Sequence, residues 1–295
     1  MATQCITGVP LVSTINQPVV DAVESKFQKL RDLLRPKLDD GLLIALSGGV
    51  DSTFLVWVAD QQRQETGGEL IALTTTSESY SQAERADVES FIAAHDIRHM
   101  WRMSRELLDV RYTANNADRC FYCKTELFRV CREAAAKLGF KWIAYGYNAS
   151  DRGDVRPGHR AALDNEILSP LADVGLTKEE IRELMRRRGL ELADKPASPC
   201  LSSRLMTGVE ITPRKLNDVE YLESILRAGG MNVFRVRVHE QAGTRFLRIE
   251  TEPEEMPLAL SVRERIVDEA KARGYQFVAL DLAGYQSGGG NVPHR

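Results

Sequence analysis

The sequence predicts an α/β protein: a parallel sheet with helices on both faces, followed by a smaller C-terminal α+β unit. Apolar runs alternate with helical patterns as far as Cys200, and such alternation is typical of a parallel sheet covered on both sides. The run at 42–46, LLIAL, is continuously apolar, as in a strand buried on both faces. Beyond Cys200 two alternating strands follow a long helix, which indicates a hairpin in a second unit. A length of 295 residues favours about two domains.

Four strands and four helices are predicted before Cys200. Ser79 or Ser81 is suited to cap the start of one helix, and the T-K-E-E capping box at Thr177 begins another. Gly139 lies where a helix with an apolar stripe would end. The predicted strands are 42–46, 70–74, 97–103 and 142–145, and the predicted helices are 52–62, 81–94, 121–138 and 177–188.

The second unit is predicted from one long helix and three strands. The helix over 212–228 has Pro213 at its first position and is closed by two glycines. The other predicted elements are strands at 233–239, 244–250 and 275–282 and a helix at 258–273. The expected organisation is a leader over 1–24, an α/β domain over 25–204, an α+β domain for substrate binding or oligomerisation over 205–284, and a flexible tail over 285–295.

The net charge of the chain and its number of cysteines make some classes of function less suitable than others. Lys and Arg total 39 and Asp and Glu total 42, so the net charge of −3 is unlike that of a protein built to coat nucleic acid. No apolar stretch reaches the length of a membrane span and the N-terminus lacks a signal-peptide pattern, so we expect a cytoplasmic protein. The chain has 5 cysteines, an odd number that favours metal binding or catalysis over a disulfide framework.

A loop of sequence S-G-G-V-D-S-T follows the first predicted strand and precedes a helix. Paired glycines allow a tight turn whose backbone N–H groups face one anion, and the helix N-terminus adds positive potential. No Lys follows the glycines, so the loop differs from the type that holds a transferable γ-phosphate. The alternative is an ordinary Ser/Gly turn. The candidate nucleotide-binding residues in this loop are Ser47, Gly48, Gly49, Asp51, Ser52 and Thr53.

Two further groups of residues are candidates for ligand contacts. Gly146, Asn148 and Asp151 follow the end of a predicted strand, where α/β folds bind ligands, so we expect them near the nucleotide. Arg235 and Arg237 lie two apart in a strand and therefore share a face, and guanidinium groups suit a substrate phosphate. The alternative for this pair is surface charge on a hairpin. Glu223, on the preceding helix, is a candidate for contacting substrate or metal.

Three cysteines are candidate metal ligands. Cys120 and Cys123 form C-F-Y-C at a predicted helix start, so their thiols face one side and can share a metal. Cys200, in S-P-C-L-S-S-R, is the third candidate, and three thiolates would leave one iron of a [4Fe–4S] cluster open to sulfide or substrate. A zinc site completed by a histidine and a cysteine pair without metal are the alternatives. Cys131 is expected in the core, and Cys5 lies in the leader.

The S-G-G-V-D-S-T loop resembles the PP-loop of the ATP pyrophosphatase superfamily, whose domain has the adenine nucleotide alpha hydrolase-like fold. In that superfamily the loop holds the pyrophosphate that leaves while AMP is transferred to a carboxylate or carbonyl oxygen. The resemblance implies that ATP binds this loop and that Asp51 helps to hold Mg²⁺ beside the leaving group.

Five segments occur in an order that resembles the LarE family: S-G-G-V-D-S-T, R-C-F-Y-C-K, G-Y-N-A-S-D, S-P-C-L-S-S-R and R-V-R-V-H. These enzymes are ATP-dependent pyridinium-3,5-biscarboxylic acid mononucleotide sulfurtransferases that serve synthesis of the nickel-pincer nucleotide cofactor. The similarity runs from about residue 26 to residue 282. It implies adenylation of a substrate carboxylate, followed by attack of a sulfur nucleophile that leaves a thiocarboxylate.

The resemblance implies two different roles for Cys200. In single-cysteine members of the family, the matching cysteine gives up its sulfur and becomes dehydroalanine. This sequence departs from that pattern because Cys120 and Cys123 are also present, and three-cysteine members are thought to carry sulfide on a [4Fe–4S] cluster. The implied partners are a pyridinium mononucleotide, a sulfide donor and further copies of the chain, with a hexamer as one form, and neither nucleic acid nor membrane. The rival functions are a PP-loop tRNA thiolase or other adenylating enzyme, and a non-enzymatic iron–sulfur or nucleotide-binding protein.

Overall fold

Two sheets organise the chain in a computed structural model that describes residues 21–153, 157–196 and 199–286. The first sheet is parallel, with strand order β3-β2-β1-β4. Its strands are β1 (Leu42–Ala45), β2 (Leu70–Thr76), β3 (His99–Met103) and β4 (Trp142–Tyr145). The second sheet has the order β5-β6-β7 and contains β5 (Phe234–Gln241), β6 (Thr244–Thr251) and β7 (Phe277–Leu280). The predicted α/β class with a smaller α+β unit is confirmed.

The helices of the described residues alternate with the strands of the first sheet and flank those of the second. They are α1 (Ala22–Asp39), α2 (Val50–Thr66), α3 (Gln82–Ala94), α4 (Val110–Thr113), α5 (Arg119–Leu138), α6 (Pro157–Asp164), α7 (Pro170–Asp173), α8 (Lys178–Arg187), α9 (Pro213–Ala228), α10 (Met256–Ser261) and α11 (Arg263–Ala272). Within the described ranges, no helix combines the length and the hydropathy of a membrane span.

Both faces of β1 are buried, as its continuous apolar sequence predicts. Leu42 and Ile44 pack into one core cluster, which also contains residues of α1, α2 and α8. Leu43 and Ala45 pack into a second cluster on the opposite face, together with Phe128 of α5. Because alternate residues of a strand point to opposite faces, a strand between two helical layers must be apolar at every position.

Helix α1 is absent from the sequence-based prediction, although its pattern was present. Leu30, Leu34 and Leu38 recur at four-residue spacing and are fully buried against the sheet. Asp21 caps the helix by accepting a hydrogen bond from the backbone N–H of Val23 at 3.0 Å. Residues 1–20 and 287–295, which hold most of the predicted leader, Cys5 and most of the predicted tail, lie outside the described residues.

Most predicted elements begin or end a few residues away from their predicted bounds, and for three of them a local hydrogen bond gives the reason. Strand β3 begins at His99 instead of residue 97 because the Ile97 N–H closes the end of α3 on the carbonyl of Ile92. The predicted helix at 258–273 is interrupted at Val262, where the Ser261 hydroxyl bonds the Leu258 carbonyl and competes with the helical backbone pattern. Strand β7 is shorter than predicted because the Tyr275 N–H still bonds the end of α11.

The second unit buries one face of its sheet against helices. Strands β5 and β6 form the predicted antiparallel hairpin, and β7 joins β6 in parallel. Val236 and Val238 face a core that includes Leu222 of α9 and Ile266 of α11. Arg235 and Arg237 therefore lie on the opposite face of the sheet.

Candidate active site

The S-G-G-V-D-S-T loop joins the carboxyl end of β1 to the first turn of α2. Gly48 has φ +80°, and a Cβ atom there would lie 2.9 Å from the Val88 side chain, so glycine is required at this position. The Ser52 hydroxyl donates to the Gly49 carbonyl at 3.1 Å and accepts from the Ser47 N–H at 3.2 Å. Ser52 therefore closes the loop on itself, whereas the hydroxyl of Thr53 is buried and has no partner within the described residues.

Asp51 projects from the first turn of α2 and forms an ion pair with Lys178. Its Oδ2 lies 2.6 Å from Lys178 Nζ, and its Oδ1 is buried without a hydrogen-bond partner in the described ranges. Burial raises the pKa of Asp51, the cation of Lys178 opposes that rise, and the negative charge of Asp151 adds to it. An unsatisfied buried carboxylate oxygen beside an anion-binding loop is a suitable ligand for a divalent cation.

The end of β4 lies against the start of α2. A Cβ atom at Gly146 would lie 2.5 Å from the Ser52 backbone nitrogen, so only glycine allows this approach. Asn148 is buried, and its backbone N–H donates to the Asp151 carboxylate at 3.3 Å. These three candidate residues therefore lie beside the loop, at the same edge of the sheet.

A cavity of about 150 Å³ lies at this edge and brings the loop together with two of the cysteines. Ser47 and Ser52 of the loop line one part of it, and Gly146 lines another. Cys123 of α5 and Cys200 also line the cavity. The two cysteines and two residues of the predicted phosphate loop thus line the same cavity.

Burial keeps both of these cysteines in the thiol form near neutral pH. It raises the pKa of Cys123 to about 12 and also raises the pKa of Cys200, where the Arg119 cation opposes the effect. The Arg119 guanidinium donates to the Ser202 carbonyl at 2.8 Å, which holds the Cys200 segment against α5. Both thiols therefore stay protonated and weakly nucleophilic until a metal, a substrate or a change in nearby charge lowers their pKa.

The predicted three-cysteine ligand group is not assembled in the described residues. Cys120 is exposed, whereas Cys123 and Cys200 are half-buried. No group of three or more His, Cys, Asp or Glu side chains within the described ranges is placed to hold a metal ion, which also leaves the zinc alternative without a ligand set. The [4Fe–4S] cluster therefore stays a prediction, and no chemical step below is assigned to it. Cys131 is fully buried in the core, as predicted.

A buried carboxylate in the cavity wall was not recognised in the sequence. Glu106 is 3% exposed and accepts a hydrogen bond from the Ser79 hydroxyl at 2.9 Å, and from the hydroxyls of Ser77 and Ser104. Its negative charge contributes to the raised pKa of Cys123. The residue follows no motif, and its hydroxyl partners come from two different loops, so the sequence carried no signal for it.

The candidate phosphate-binding arginines are buried. Arg235 and Arg237 are 8% and 4% exposed, so the alternative of surface charge on a hairpin is wrong. Arg237 pairs with Glu250 at 2.8 Å and donates to the Ser203 carbonyl at 2.9 Å. Glu223 also forms an ion pair within the protein, with Arg204.

Glu223 forms a buried ion pair that supports the Cys200 segment. Its carboxylate lies 2.9 Å from Arg204 Nε and also accepts the Val236 N–H at 3.1 Å. The same Arg204 guanidinium donates to the carbonyls of Pro199 and Cys200. Glu223 thus acts on Cys200 through Arg204.

A parallel α/β sheet that carries an S-G-G-V-D-S loop at its carboxyl edge defines a member of the PP-loop superfamily. No family model matches the chain. An uncharacterized Synechocystis protein, slr1717, is 38% identical over 269 residues, which are 90% of this chain and 97% of that protein. The chain belongs to the same family as slr1717.

Two further relatives have named activities. The pyridinium-3,5-bisthiocarboxylic acid mononucleotide synthase of Lactiplantibacillus plantarum is 27% identical over 260 residues, 88% of this chain and 90% of that enzyme. The tRNA-specific 2-thiouridylase MnmA of Thermobifida fusca is 29% identical over an alignment of 189 residues, and the match covers 53% of this chain and 52% of that enzyme. The similarity to the second relative thus covers about half of either chain.

Proposed function

We propose that this protein is an ATP-dependent sulfurtransferase that adenylates a carboxylate of a pyridinium mononucleotide and converts it to a thiocarboxylate. The observation that carries the proposal is the cavity shared by the PP-loop, Cys123 and Cys200. The Lactiplantibacillus relative, similar along nearly its whole length, supports the mononucleotide as the substrate class. The net charge of −3, and a similarity that covers 88% of this chain for that relative but 53% for the tRNA thiouridylase, favour this substrate over tRNA.

Adenylation would take place at the carboxyl edge of the first sheet. The backbone N–H of Gly48, the unpartnered hydroxyl of Thr53 and the N-terminus of α2 are the groups that we assign to the phosphates of ATP. The Gly49 N–H, which donates to the Ser47 hydroxyl at 3.4 Å, would exchange that partner for a phosphate oxygen. Asp51 would hold Mg²⁺, which offsets the negative charge of the phosphates. Gly146, Asn148 and Asp151 form the neighbouring wall.

The chemistry replaces an oxygen leaving group by sulfur. A carboxylate oxygen attacks the α-phosphorus of ATP, pyrophosphate leaves, and the carboxylate becomes an acyl adenylate. A thiol or sulfide then attacks the acyl carbon, the C–O bond to AMP breaks, and the proton of the nucleophile passes to solvent. Sulfide gives the thiocarboxylate directly. A cysteine thiol gives a thioester, from which the thiocarboxylate leaves when the cysteine loses its Cα proton and its Cβ–Sγ bond breaks, so that dehydroalanine remains in the chain. Cys200 is the thiol that we propose for this step, since it lines the cavity beside the loop.

The substrate phosphate is assigned to the layer that holds Arg235 and Arg237. Both arginines lie on the face of β5 opposite the apolar core, and Arg237 donates to the Ser203 carbonyl at 2.9 Å. A phosphate that binds Arg237 competes with Glu250, so an oxygen-rich dianion is needed to replace that carboxylate. Glu223 contributes through its ion pair with Arg204.

Pyrophosphate release tests the adenylation step directly. We expect release only when ATP, Mg²⁺ and the pyridinium carboxylate mononucleotide are all present, and we expect Asp51→Asn to abolish it while the far-UV circular dichroism is retained. Arg237→Met should raise the KM for the mononucleotide and leave ATP binding unchanged. Release that depends on tRNA instead of the mononucleotide would identify a tRNA thiolase, and no release with either substrate would indicate a non-enzymatic nucleotide-binding protein.

A further inference from the structure

The phosphate loop is held from outside by Lys195, a residue that precedes Cys200 by five positions. The Lys195 ammonium donates to the Gly48 carbonyl at 2.8 Å and pairs with Asp87 of α3 at 2.6 Å. Its side chain is 14% exposed, whereas that of Asp87 is 38% exposed. The loop carbonyl therefore has a charged donor whose position is fixed by a second helix.

This contact sets the direction of a neighbouring amide. The Gly48 carbonyl and the Gly49 N–H belong to one planar trans peptide, so they point in opposite directions. With the carbonyl turned toward Lys195, the Gly49 N–H points to the other side of the loop, where the Ser47 hydroxyl lies at 3.4 Å. The Gly49 N–H donates to this hydroxyl, and Ser47 lines the cavity, so the N–H points toward the side of the loop that we assign to the pyrophosphate.

Lys195 is also attached to the segment that carries Cys200. Its carbonyl accepts a hydrogen bond from Arg182 of α8 at 2.7 Å. Further along, the Leu201 N–H donates to the Ser79 carbonyl at 2.9 Å, next to the cavity wall. The chain is therefore anchored at Lys195, five residues before Cys200, and at Leu201, directly after it, so a displacement of Lys195 moves one of these two anchors.

We propose that Lys195 is a positioning residue that orients the Gly48–Gly49 peptide for anion binding and couples occupancy of the phosphate loop to the placement of Cys200. This inference rests on the proposed function, because it requires a phosphate ligand at the loop. Lys195 itself does not touch the reacting atoms. Through Lys195, binding of pyrophosphate at the loop would change the position of the Cys200 thiol.

Asp87→Asn provides a matched control for Lys195→Met. Both substitutions remove the Lys195–Asp87 ion pair, but only Lys195→Met removes the donor to the Gly48 carbonyl. If the ion pair merely supports the fold, the two variants lose the same properties. If the Gly48 contact is what matters, only Lys195→Met affects the loop.

The first measurement is the affinity for Mg²⁺ and inorganic pyrophosphate by calorimetry. We expect Lys195→Met to weaken binding by roughly ten-fold or more, as for the loss of one charge-assisted hydrogen bond, and Asp87→Asn to stay within about three-fold of wild type. Lys195→Arg, which keeps the charge but changes the donor geometry, should lie between them. Equal affinities of Lys195→Met and wild type, or equal losses in Lys195→Met and Asp87→Asn, would overturn the inference.

The second measurement is the rate at which iodoacetamide labels Cys200, followed by peptide mass spectrometry. Pyrophosphate is used because it fills the loop without an adenosine that would cover the cavity. Saturating pyrophosphate should change the labelling rate of wild type and of Asp87→Asn about five-fold, the lower range of typical coupling, and should leave the rate unchanged in Lys195→Met. The same response in all three proteins would overturn the coupling.

The two proposals fail in different ways. A wild-type protein that binds neither ATP nor pyrophosphate would overturn the proposed function and this inference together. A wild type that releases pyrophosphate normally, with a Lys195→Met variant that binds and couples like wild type, would overturn only the role of Lys195.

Discussion

Gly146→Ala should damage the active site through a backbone collision. The added Cβ would lie 2.5 Å from the nitrogen and 2.8 Å from the Cα of Ser52, and 2.9 Å from the carbonyl carbon of Asp51. An ordinary contact begins at 3.4 Å, so the end of β4 and the start of α2 must separate by about 0.9 Å, the difference between 3.4 and 2.5 Å. All three neighbouring atoms belong to backbone, so no side-chain rotation relieves the contact.

Two consequences of that separation can be measured. Overpacking of this kind costs about 1–3 kcal/mol of stability, which a urea titration detects as a lower midpoint. A displacement of about 1 Å at Asp51 should also lower pyrophosphate release by roughly 100-fold, because reacting groups must be placed to within a fraction of an ångström.

Gly158→Ala is the stability control for this substitution. Its added Cβ would meet the Lys124 side chain at 3.0 Å, which can move, and alanine is favoured over glycine in a helix such as α6. We expect no loss of stability from this variant. A Gly146→Ala protein with the urea midpoint and pyrophosphate release of wild type would refute the reasoning.

Three other predictions follow from buried charge and from the cavity. Arg204→Met should lower the free energy of unfolding, measured by denaturant titration, by about 3–5 kcal/mol, because it leaves the carboxylate of Glu223 buried without its cation. Adding Glu223→Gln should recover part of that loss, and equal losses in the single and double variants would contradict the ion-pair argument. Burial lowers the pKa of His99 to about 4, so the unfolded chain takes up the proton at a higher pH than the folded protein does, and stability should fall as pH drops from about 6.5 to 4. His99→Gln should flatten this dependence of stability on pH, and an unchanged dependence would exclude His99 as its source. Cys200→Ser should abolish thiocarboxylate formation and leave pyrophosphate release intact, and thiocarboxylate formation by this variant would remove the Cys200 thiol from the reaction. The intact mass of wild type after turnover shows the source of the sulfur in the product: Cys200 loses H₂S if it is the donor, and keeps its mass if the donor is external.

Local sequence patterns were sufficient for most of the first sheet. The continuous apolar run predicted β1, and the S-G-G-V-D-S-T letters predicted the anion-binding turn after it, because both depend on neighbours within a few residues. The capping box at Thr177 is present and begins α8 as predicted. The same motif contains Lys178, but its spacing shows only that a helix begins there and cannot show that the side chain reaches Asp51.

Local patterns thus predicted the α/β class, the order of the strands along the chain and the phosphate loop. The contacts between distant segments were not predictable: Cys123 and Cys200 line one cavity while Cys120 is exposed, and Arg237 is paired with Glu250. Only the tertiary structure shows these contacts, and also that Lys195 donates to the Gly48 carbonyl. The physical reason is that secondary structure depends on periodicity and local hydrogen bonding, whereas these contacts join residues far apart in the chain, and their distances exist only after the helices and sheets have packed.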